Sequence, residues 1–254
     1  MNYLDLLQSY NLSWFQWSAI GLAAFLLGLS KAGIKGIGII IVVILAFVFG
    51  EKTSTGILLP MLICADVLAV IYYNQHAQWK YIFKLLPMMI VGVLVGVWLG
   101  NDISEMIFKK LMAIIIIGSV ILMFLAENRK STAVPKSKVF SWIMGFLAGF
   151  TTMIGNLAGP VANIYFLAIR FPKNEFIGTA AWLFFIINIF KLPFHIFVWK
   201  TVNVQTLTLN AVLIPTVICG FFLGAALVKR ISNLNYRRFI LAVTAIGGLI
   251  LLFR

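Results

Sequence analysis

The chain has 254 residues, of which 62% are apolar and only 11% are charged. A soluble domain carries roughly 25% charged residues to cover its surface, so this composition excludes a water-soluble protein and indicates a chain embedded in lipid. The net charge of +13 does not indicate nucleic acid, because the basic residues stand singly or in pairs between apolar runs, as membrane anchors do.

Hydropathy predicts ten apolar segments, several of which approach the roughly 18–20 residues that cross a bilayer as a helix. In chain order they are 14–30, 36–50, 55–73, 82–100, 106–125, 140–154, 158–170, 176–198, 206–228 and 236–253. The one polar stretch of any length, residues 126–139, separates five segments from five. We therefore predict an all-α polytopic membrane bundle with one repeat at 1–125, a linker at 126–139 and a second repeat at 140–254.

The two halves carry matching residues in the same order. At a shift of 122 residues Gly33 meets Gly155 and Asp66 meets Asn188. After a six-residue insertion the shift is 128, and these matches follow: Pro87 with Pro215, Gly92 with Gly220 and Gly96 with Gly224. Because each half holds an odd number of segments, the second enters the membrane from the opposite face, which predicts an inverted 5+5 repeat, as in many secondary transporters. We expect the paired glycines at 92, 96, 220 and 224 to allow close helix packing.

Lysine and arginine are distributed unequally between the two sides of the predicted bundle. Fourteen of the twenty fall on the side that holds the 126–139 linker, five fall on the other side, and Lys191 lies within a segment. The positive-inside rule then places the linker in the cytoplasm and both termini on the periplasmic or extracellular side.

Two interruptions stand at matching places in the halves. They are residues 28–43, "GLSKAGIKGIGIIIVV", and 149–165, "GFTTMIGNLAGPVANIY". Both predict broken or re-entrant helices, and two interpretations stay open: residues 14–50 and 140–170 form either paired spans or re-entrant hairpins. Irregular backbone at membrane depth needs a cavity or surrounding protein. Helix N-termini that meet at the midplane favour an anion there.

The sequence predicts an anion site around these interruptions. Glycines let backbone approach a ligand, Pro160 suits a first helical turn, asparagines donate to oxyanions, and intramembrane lysines supply charge. The predicted binding residues are Lys35, Gly36, Gly38, Gly155, Asn156, Gly159, Pro160, Asn163, Asn188 and Lys191.

Several of these residues have an ordinary structural alternative. Asn163 serves equally well in an interhelical hydrogen bond, and Lys31 and Lys35 as topology signals. Asp66, the acid deep in a hydrophobic run, is predicted to pair with a lysine such as Lys191 or to carry a coupling proton. We place Lys31 in the cytoplasmic vestibule. The sequence indicates no metal and no cofactor.

Four stretches of the chain resemble the sulfite exporter TauE/SafE family of membrane transporters. They are "GLSKAGIKGIG", "ADVLAVIYYNQHAQWKYIFKLLP", "GNLAGPVANIYFL" and "IGTAAWLFFIINIFKLP". The resemblance covers nearly the whole chain in the right order. It implies a transporter of small sulfur-containing anions, such as sulfite, sulfonates or sulfoacetate, in a bacterial or archaeal inner membrane. One departure is the segment "GIKGIGIII", where many members carry a fuller glycine run followed by proline.

The resulting hypothesis is a secondary transporter, not an enzyme, that binds an oxyanion at the midplane and works by alternating access. Its coupling ion (H+ or Na+, or none) and its oligomeric state stay open, with a homo-oligomer among the alternatives. An anion channel would use the same broken helices. An intramembrane enzyme would need grouped acids or histidines, whereas the seven acids and two histidines are scattered. A structural subunit would move no solute.

Overall fold

The computed structural model describes residues 10–101 and 138–232, together with residues 7, 103–104, 106–108, 110–111, 114, 118 and 235–236. The helices within these residues are α1 (Trp14–Lys31), α2 (Gly38–Phe49), α3 (Glu51–Tyr73), α4 (Trp79–Asn101), α5 (Lys138–Gly155), α6 (Ala158–Ile169), α7 (Lys173–Pro193) and α8 (Val204–Lys229). A 3₁₀ turn, Asn74–His76, follows α3, and a π-helical turn, Phe194–Val198, follows α7. The all-α prediction is confirmed for the described residues. The predicted segments 106–125 and 236–253 lie largely outside them.

Five stretches of the described chain are long and apolar enough to cross a membrane. They are Glu51–His76, Trp79–Asn101, Lys138–Gly155, Lys173–Val198 and Val204–Lys229. Large apolar side chains on these spans face outward, with Phe83 65%, Trp98 76% and Phe197 74% exposed. Such surfaces suit lipid rather than water. The protein is therefore a multi-pass membrane protein.

Helices α2 and α6 are too short to cross a bilayer alone. Each has 12 residues and extends about 18 Å at 1.5 Å per residue, against a hydrocarbon core of about 30 Å. Helix α6 is largely buried, including Asn163 and Tyr165, whereas α2 is partly buried, with Ile39 and Ile41 enclosed and Phe47 64% exposed.

Glycines set the two closest helix pairs, α4 with α5 and α1 with α8. A Cβ at Gly92 of α4 would collide with the backbone of Phe146 and Phe150 on α5. A Cβ at Gly220 of α8 would collide with the Phe25 carbonyl of α1. The predicted packing role of these glycines is confirmed, since only a residue without a side chain fits there.

Helices α3 and α7 pack against each other between these two pairs. Asp66 of α3 and Asn188 of α7 lie in this contact, with exposed fractions of 0% and 3%. Buried polar groups need hydrogen-bond partners, so these two residues bring specific polar contacts to the centre of the bundle.

Candidate functional site

Two interruptions between helices lie close together inside the bundle. Between α1 and α2 the backbone has positive φ at Gly33 (127°) and Gly36 (101°), and between α5 and α6 it has positive φ at Asn156 (56°). Glycine adopts these conformations freely, and asparagine tolerates the left-handed region better than most residues. The residue types at the breaks therefore explain why each helix ends there and a new one starts.

A cavity of about 70 Å³ lies between the breaks. Elements from both halves of the chain contribute its polar lining. These residues are Ser30, Lys31, Lys35, Thr152, Asn156, Asn163 and Asn188. One buried water needs only roughly 10–15 Å³ of such space, so the cavity has room for a small polyatomic ion.

The first turns of α2 and α6 face this cavity. Gly38 at the start of α2 and Ala158, Gly159 and Pro160 at the start of α6 line it. Neither helix start has a side-chain cap. Because first-turn N–H groups lack partners within their own helix and carry the positive end of its dipole, this arrangement suits an anion.

Gly38 and Gly159 leave the cavity open beside the backbone. A Cβ added at either position would meet no atom within 4 Å. The two glycines therefore keep the space next to both helix starts free of side chains, as a ligand-approach role requires.

The carboxylate of Asp66 is held by two residues that line the cavity. Lys31 Nζ lies 2.6 Å from Oδ1, and Asn188 Nδ2 donates to Oδ2 at 2.6 Å. Lys31 also lies over the Phe184 ring, 4.9 Å from its centroid. The ion pair is buried, so each charge offsets the desolvation of the other.

Lys35 and Lys191 have neutral hydrogen-bond partners instead. Lys35 Nζ donates to the Ser30 carbonyl at 3.1 Å, and Lys191 Nζ donates to Thr152 O and Oγ1, both at 2.9 Å, and to Asn156 Oδ1. Among the described residues, no carboxylate lies within salt-bridge distance of either Nζ. With the lysines and Asp66 ionised, positive charge is therefore in excess around the cavity.

The structure brings most of the predicted site residues to the cavity wall. Those that line it are Lys35, Gly36, Gly38, Asn156, Gly159, Pro160, Asn163 and Asn188. Gly155 and Lys191 do not line it. Gly155 ends α5, and Lys191 contacts Asn156 and Thr152 from behind.

Two predictions, one about a pairing and one about a location, differ from the structure. The pairing of Asp66 with Lys191 is wrong, because Asp66 binds Lys31 and Asn188 instead. Lys31 lies deeper than a vestibule residue, since its side chain is only 9% exposed and ends in this ion pair. The physical reason in both cases is that Lys31, at the end of α1, lies beside Asp66, which is the one buried carboxylate among the residues that the structure describes.

Other polar groups make structural hydrogen bonds. Thr151 Oγ1 bonds to the carbonyls of Ala148 and Leu157, and Thr179 Oγ1 accepts from the backbone of Gln78. Asn163 lines the cavity, and its Oδ1 has no hydrogen-bond partner among the described residues. The sequence also allowed an interhelical hydrogen bond for Asn163. No such bond is observed among the described residues.

Sequence reasoning missed the apolar part of the lining. Leu58 and Leu62 of α3 and Phe184 of α7 belong to the wall. Leu58, Leu62 and Asp66 are four residues apart, as are Phe184 and Asn188, and residues at this spacing share one face of a helix. The four-residue spacing of these apolar residues from Asp66 and Asn188 could therefore have identified them as lining residues.

The comparison with known families agrees with this geometry. The sequence model described as sulfite exporter TauE/SafE matches residues 20–251. Searches among curated proteins and among solved structures return no match. The matched family implies a membrane exporter of sulfite or a related anion rather than an enzyme. Since the match spans nearly the whole chain, the protein belongs to the sulfite exporter TauE/SafE family.

Proposed function

We propose that this protein is a secondary transporter that binds one small sulfur-containing oxyanion in the cavity between α2 and α6. The observation that carries the proposal is the convergence of two uncapped helix starts and Lys35 on one cavity. N–H groups and the positive dipole ends of helices bind anions. Spread over two helix ends and a lysine, the positive charge offsets the cost of dehydrating an anion better than a lone ammonium does.

The size of the cavity favours a compact substrate. A volume of about 70 Å³ suits sulfite or the head group of a short sulfonate. A longer anion such as sulfoacetate requires the cavity to widen at the apolar side formed by Leu58, Leu62 and Phe184. We therefore rank sulfite first among the substrates that the family implies.

We also propose that the two halves form an inverted repeat, and the helix pairing supports it. Helix α1 packs on α8, and α5 packs on α4. At the sequence shifts of 122 and 128, α5 is the equivalent of α1, and α4 is the equivalent of α8. In both cases a helix near the start of one half packs on a helix of the other half. A two-fold relation between the halves requires such an exchange of equivalent contacts.

Individual contacts support the same relation. Gly56 packs against Thr201, and Gly178 packs against Tyr73, so the two contacts exchange when the shifts of 122 and 128 are applied. Asp66 and Asn188 are themselves 122 positions apart and hydrogen-bonded to each other at 2.6 Å. The proposed axis passes through this pair, beside the cavity.

In the proposed cycle the site opens alternately to each side as one part of the bundle moves against the other. The linker at 126–139 faces the cytoplasm, and both termini face the outside of a bacterial or archaeal inner membrane. In this proposal a cation, H+ or Na+, is transported together with the anion. The same cycle applies to a monomer and to a homo-oligomer.

Flux into proteoliposomes tests the proposed function. We expect uptake of radiolabelled sulfite that saturates and shows counterflow when unlabelled sulfite is loaded inside. Flux that neither saturates nor shows counterflow would identify a channel. A chemically altered product would identify an enzyme, and no flux would identify a structural subunit.

A further inference from the structure

The two donors that hold Asp66 both belong to the wall of the anion cavity. Lys31 Nζ and Asn188 Nδ2 each lie 2.6 Å from one carboxylate oxygen of Asp66. Lys31 and Asn188 line the cavity, whereas Asp66 is fully buried behind them. The carboxylate therefore occupies the donors that an oxyanion entering the cavity would need.

We infer that Asp66 is a proton-binding site whose protonation releases Lys31 and Asn188 to the substrate, so that one proton is taken up with each anion. The inference rests on the proposed function. The added proton forms an O–H bond on Asp66, and the Lys31 N–H turns from the carboxylate oxygen to an oxygen of the anion. No other covalent bond is made or broken.

Protonation also changes the charge that the anion meets. With Asp66 ionised, its negative charge cancels that of Lys31, and Lys35 alone supplies excess charge at the cavity wall. With Asp66 neutral, both lysines act on the anion. Because like charges repel strongly in a dehydrated site, the empty site with ionised Asp66 binds an anion more weakly than the protonated one.

The other ionisable groups facing this site do not have the same property. Lys35, between α1 and α2, donates to a carbonyl, and Lys191 of α7 donates to Thr152 and Asn156. Loss of a proton from either lysine removes a positive charge and frees no donor. Among the described residues that surround the cavity, Asp66 is the group whose protonation adds donors to it.

Coupled uptake has a consequence for the driving force. A singly charged anion and one proton move together without net charge, so the membrane potential, worth about 2.3 kcal/mol per charge per 100 mV, neither drives nor opposes the step. The direction of transport then follows the combined concentration gradients of the anion and the proton.

Calorimetric titration of the purified full-length protein with methanesulfonate tests the inference. Methanesulfonate is the anion of a strong acid, so its own charge stays constant from about pH 5 to pH 9. Repeating the titration in buffers of different ionisation enthalpy measures proton uptake. We expect close to one proton per anion over part of this range and an affinity that falls by up to about tenfold per pH unit as pH rises.

The variant Asp66→Asn keeps the shape of the protonated acid without its charge change. We expect it to bind methanesulfonate without proton uptake, with the affinity of the wild type at low pH throughout. Because this variant leaves Lys31 buried without a carboxylate, a second variant that combines Lys31→Met with Asp66→Asn serves if the first is unstable. It is expected to bind more weakly and also without proton uptake.

Each outcome decides the inference. Proton uptake that persists in the double variant, which lacks both Asp66 and Lys31, arises from another group such as Lys35 or Lys191 and overturns the inference. Wild-type binding without proton uptake overturns the inference and leaves the proposed function intact. Absence of binding at every pH, for both methanesulfonate and sulfite, overturns both.

Discussion

Lys35 lines the cavity, and no described carboxylate lies within salt-bridge distance of its Nζ. Its side chain is buried and, within the described part of the chain, donates to the Ser30 carbonyl alone. We expect Lys35→Met to weaken sulfite binding by at least about tenfold, equivalent to about 1.4 kcal/mol, because an anion then loses its nearest unpaired cation. Calorimetric titration of the purified variant measures this loss.

The control for Lys35 is Lys80→Met, which removes the same charge from an exposed position at the start of α4. It is expected to bind sulfite like the wild type. Equal affinities for the wild type and Lys35→Met would contradict the proposed role of Lys35.

Asn156 combines a backbone role with a side-chain role, and two substitutions separate them. Its φ of 56° is left-handed, and its amide donates to Thr55 O at 2.9 Å while accepting from Lys191. We expect both Asn156→Gly and Asn156→Ala to weaken sulfite binding. Only the alanine variant pays an additional cost, of roughly 1–2 kcal/mol, for the left-handed conformation.

Thermal unfolding in detergent, monitored by circular dichroism, measures the difference between the two Asn156 variants. A glycine variant that unfolds at a lower temperature than the alanine variant would show that the backbone argument is wrong. Sulfite affinity unchanged in both would remove Asn156 from the site.

The sequence identifies some side chains of the site better than others. Asn156, Asn163 and Asn188 stand out because polar amides are costly in apolar helices and need a reason to be there. The partner of Asp66 does not stand out, because Lys31 reaches it only through the way α1 crosses α3. Leu58 is missed since one leucine among many has no compositional signal.

At the scale of elements, the short helices α2 and α6 act as a pair of anion-facing ends. Gly38 and Gly159 lie at these ends, and a Cβ there meets no other atom. We expect Gly38→Ala and Gly159→Ala to fold normally and to weaken sulfite binding, because each adds a methyl group to a cavity of about 70 Å³. Binding affinity and thermal unfolding temperature are the two measurements.

Gly21→Ala is the matched control for these two substitutions. Gly21 lies within α1, does not line the cavity, and likewise has no atom within 4 Å of an added Cβ. We expect unchanged binding and, since alanine favours helix over glycine by roughly 1 kcal/mol, no loss of stability. If all three variants bind sulfite equally well, the anion does not lie at the helix starts.

The elements themselves are largely predictable from hydropathy. The segments expected at 55–73, 82–100 and 206–228 are observed as Glu51–Tyr73, Trp79–Asn101 and Val204–Lys229, because a lipid-facing helix must be apolar over its whole length. Helix partners are less predictable. Gly92 and Gly220 show that a close contact exists, but not that α4 meets α5 or that α8 meets α1.

At the scale of the whole molecule, the distribution of lysine and arginine predicts the orientation in the membrane. Gln75, in the turn after α3, and Lys200, between α7 and α8, are exposed. We expect them to face opposite sides, with Gln75 cytoplasmic. In a background with Cys64 and Cys219 replaced by serine, a membrane-impermeant maleimide should label Lys200→Cys in intact cells and Gln75→Cys only after permeabilisation.

The labelling experiment has a clear contrary outcome. Labelling of Gln75→Cys from outside, with protection of Lys200→Cys, would show that the orientation is reversed. Labelling of both from the same side would contradict the span at Glu51–His76 or at Lys173–Val198.

The pairing of α1 with α8 has a consequence for biosynthesis. Gly28 packs directly on the backbone of Val217 and Phe221, yet about 200 residues separate α1 from the end of α8. At roughly 5–20 residues per second, α1 leaves the ribosome on the order of 10–40 s before its partner is complete. During this interval the Gly28 face of α1 lies in the bilayer without α8. A translation arrest before residue 204 would leave that face exposed to quality-control factors.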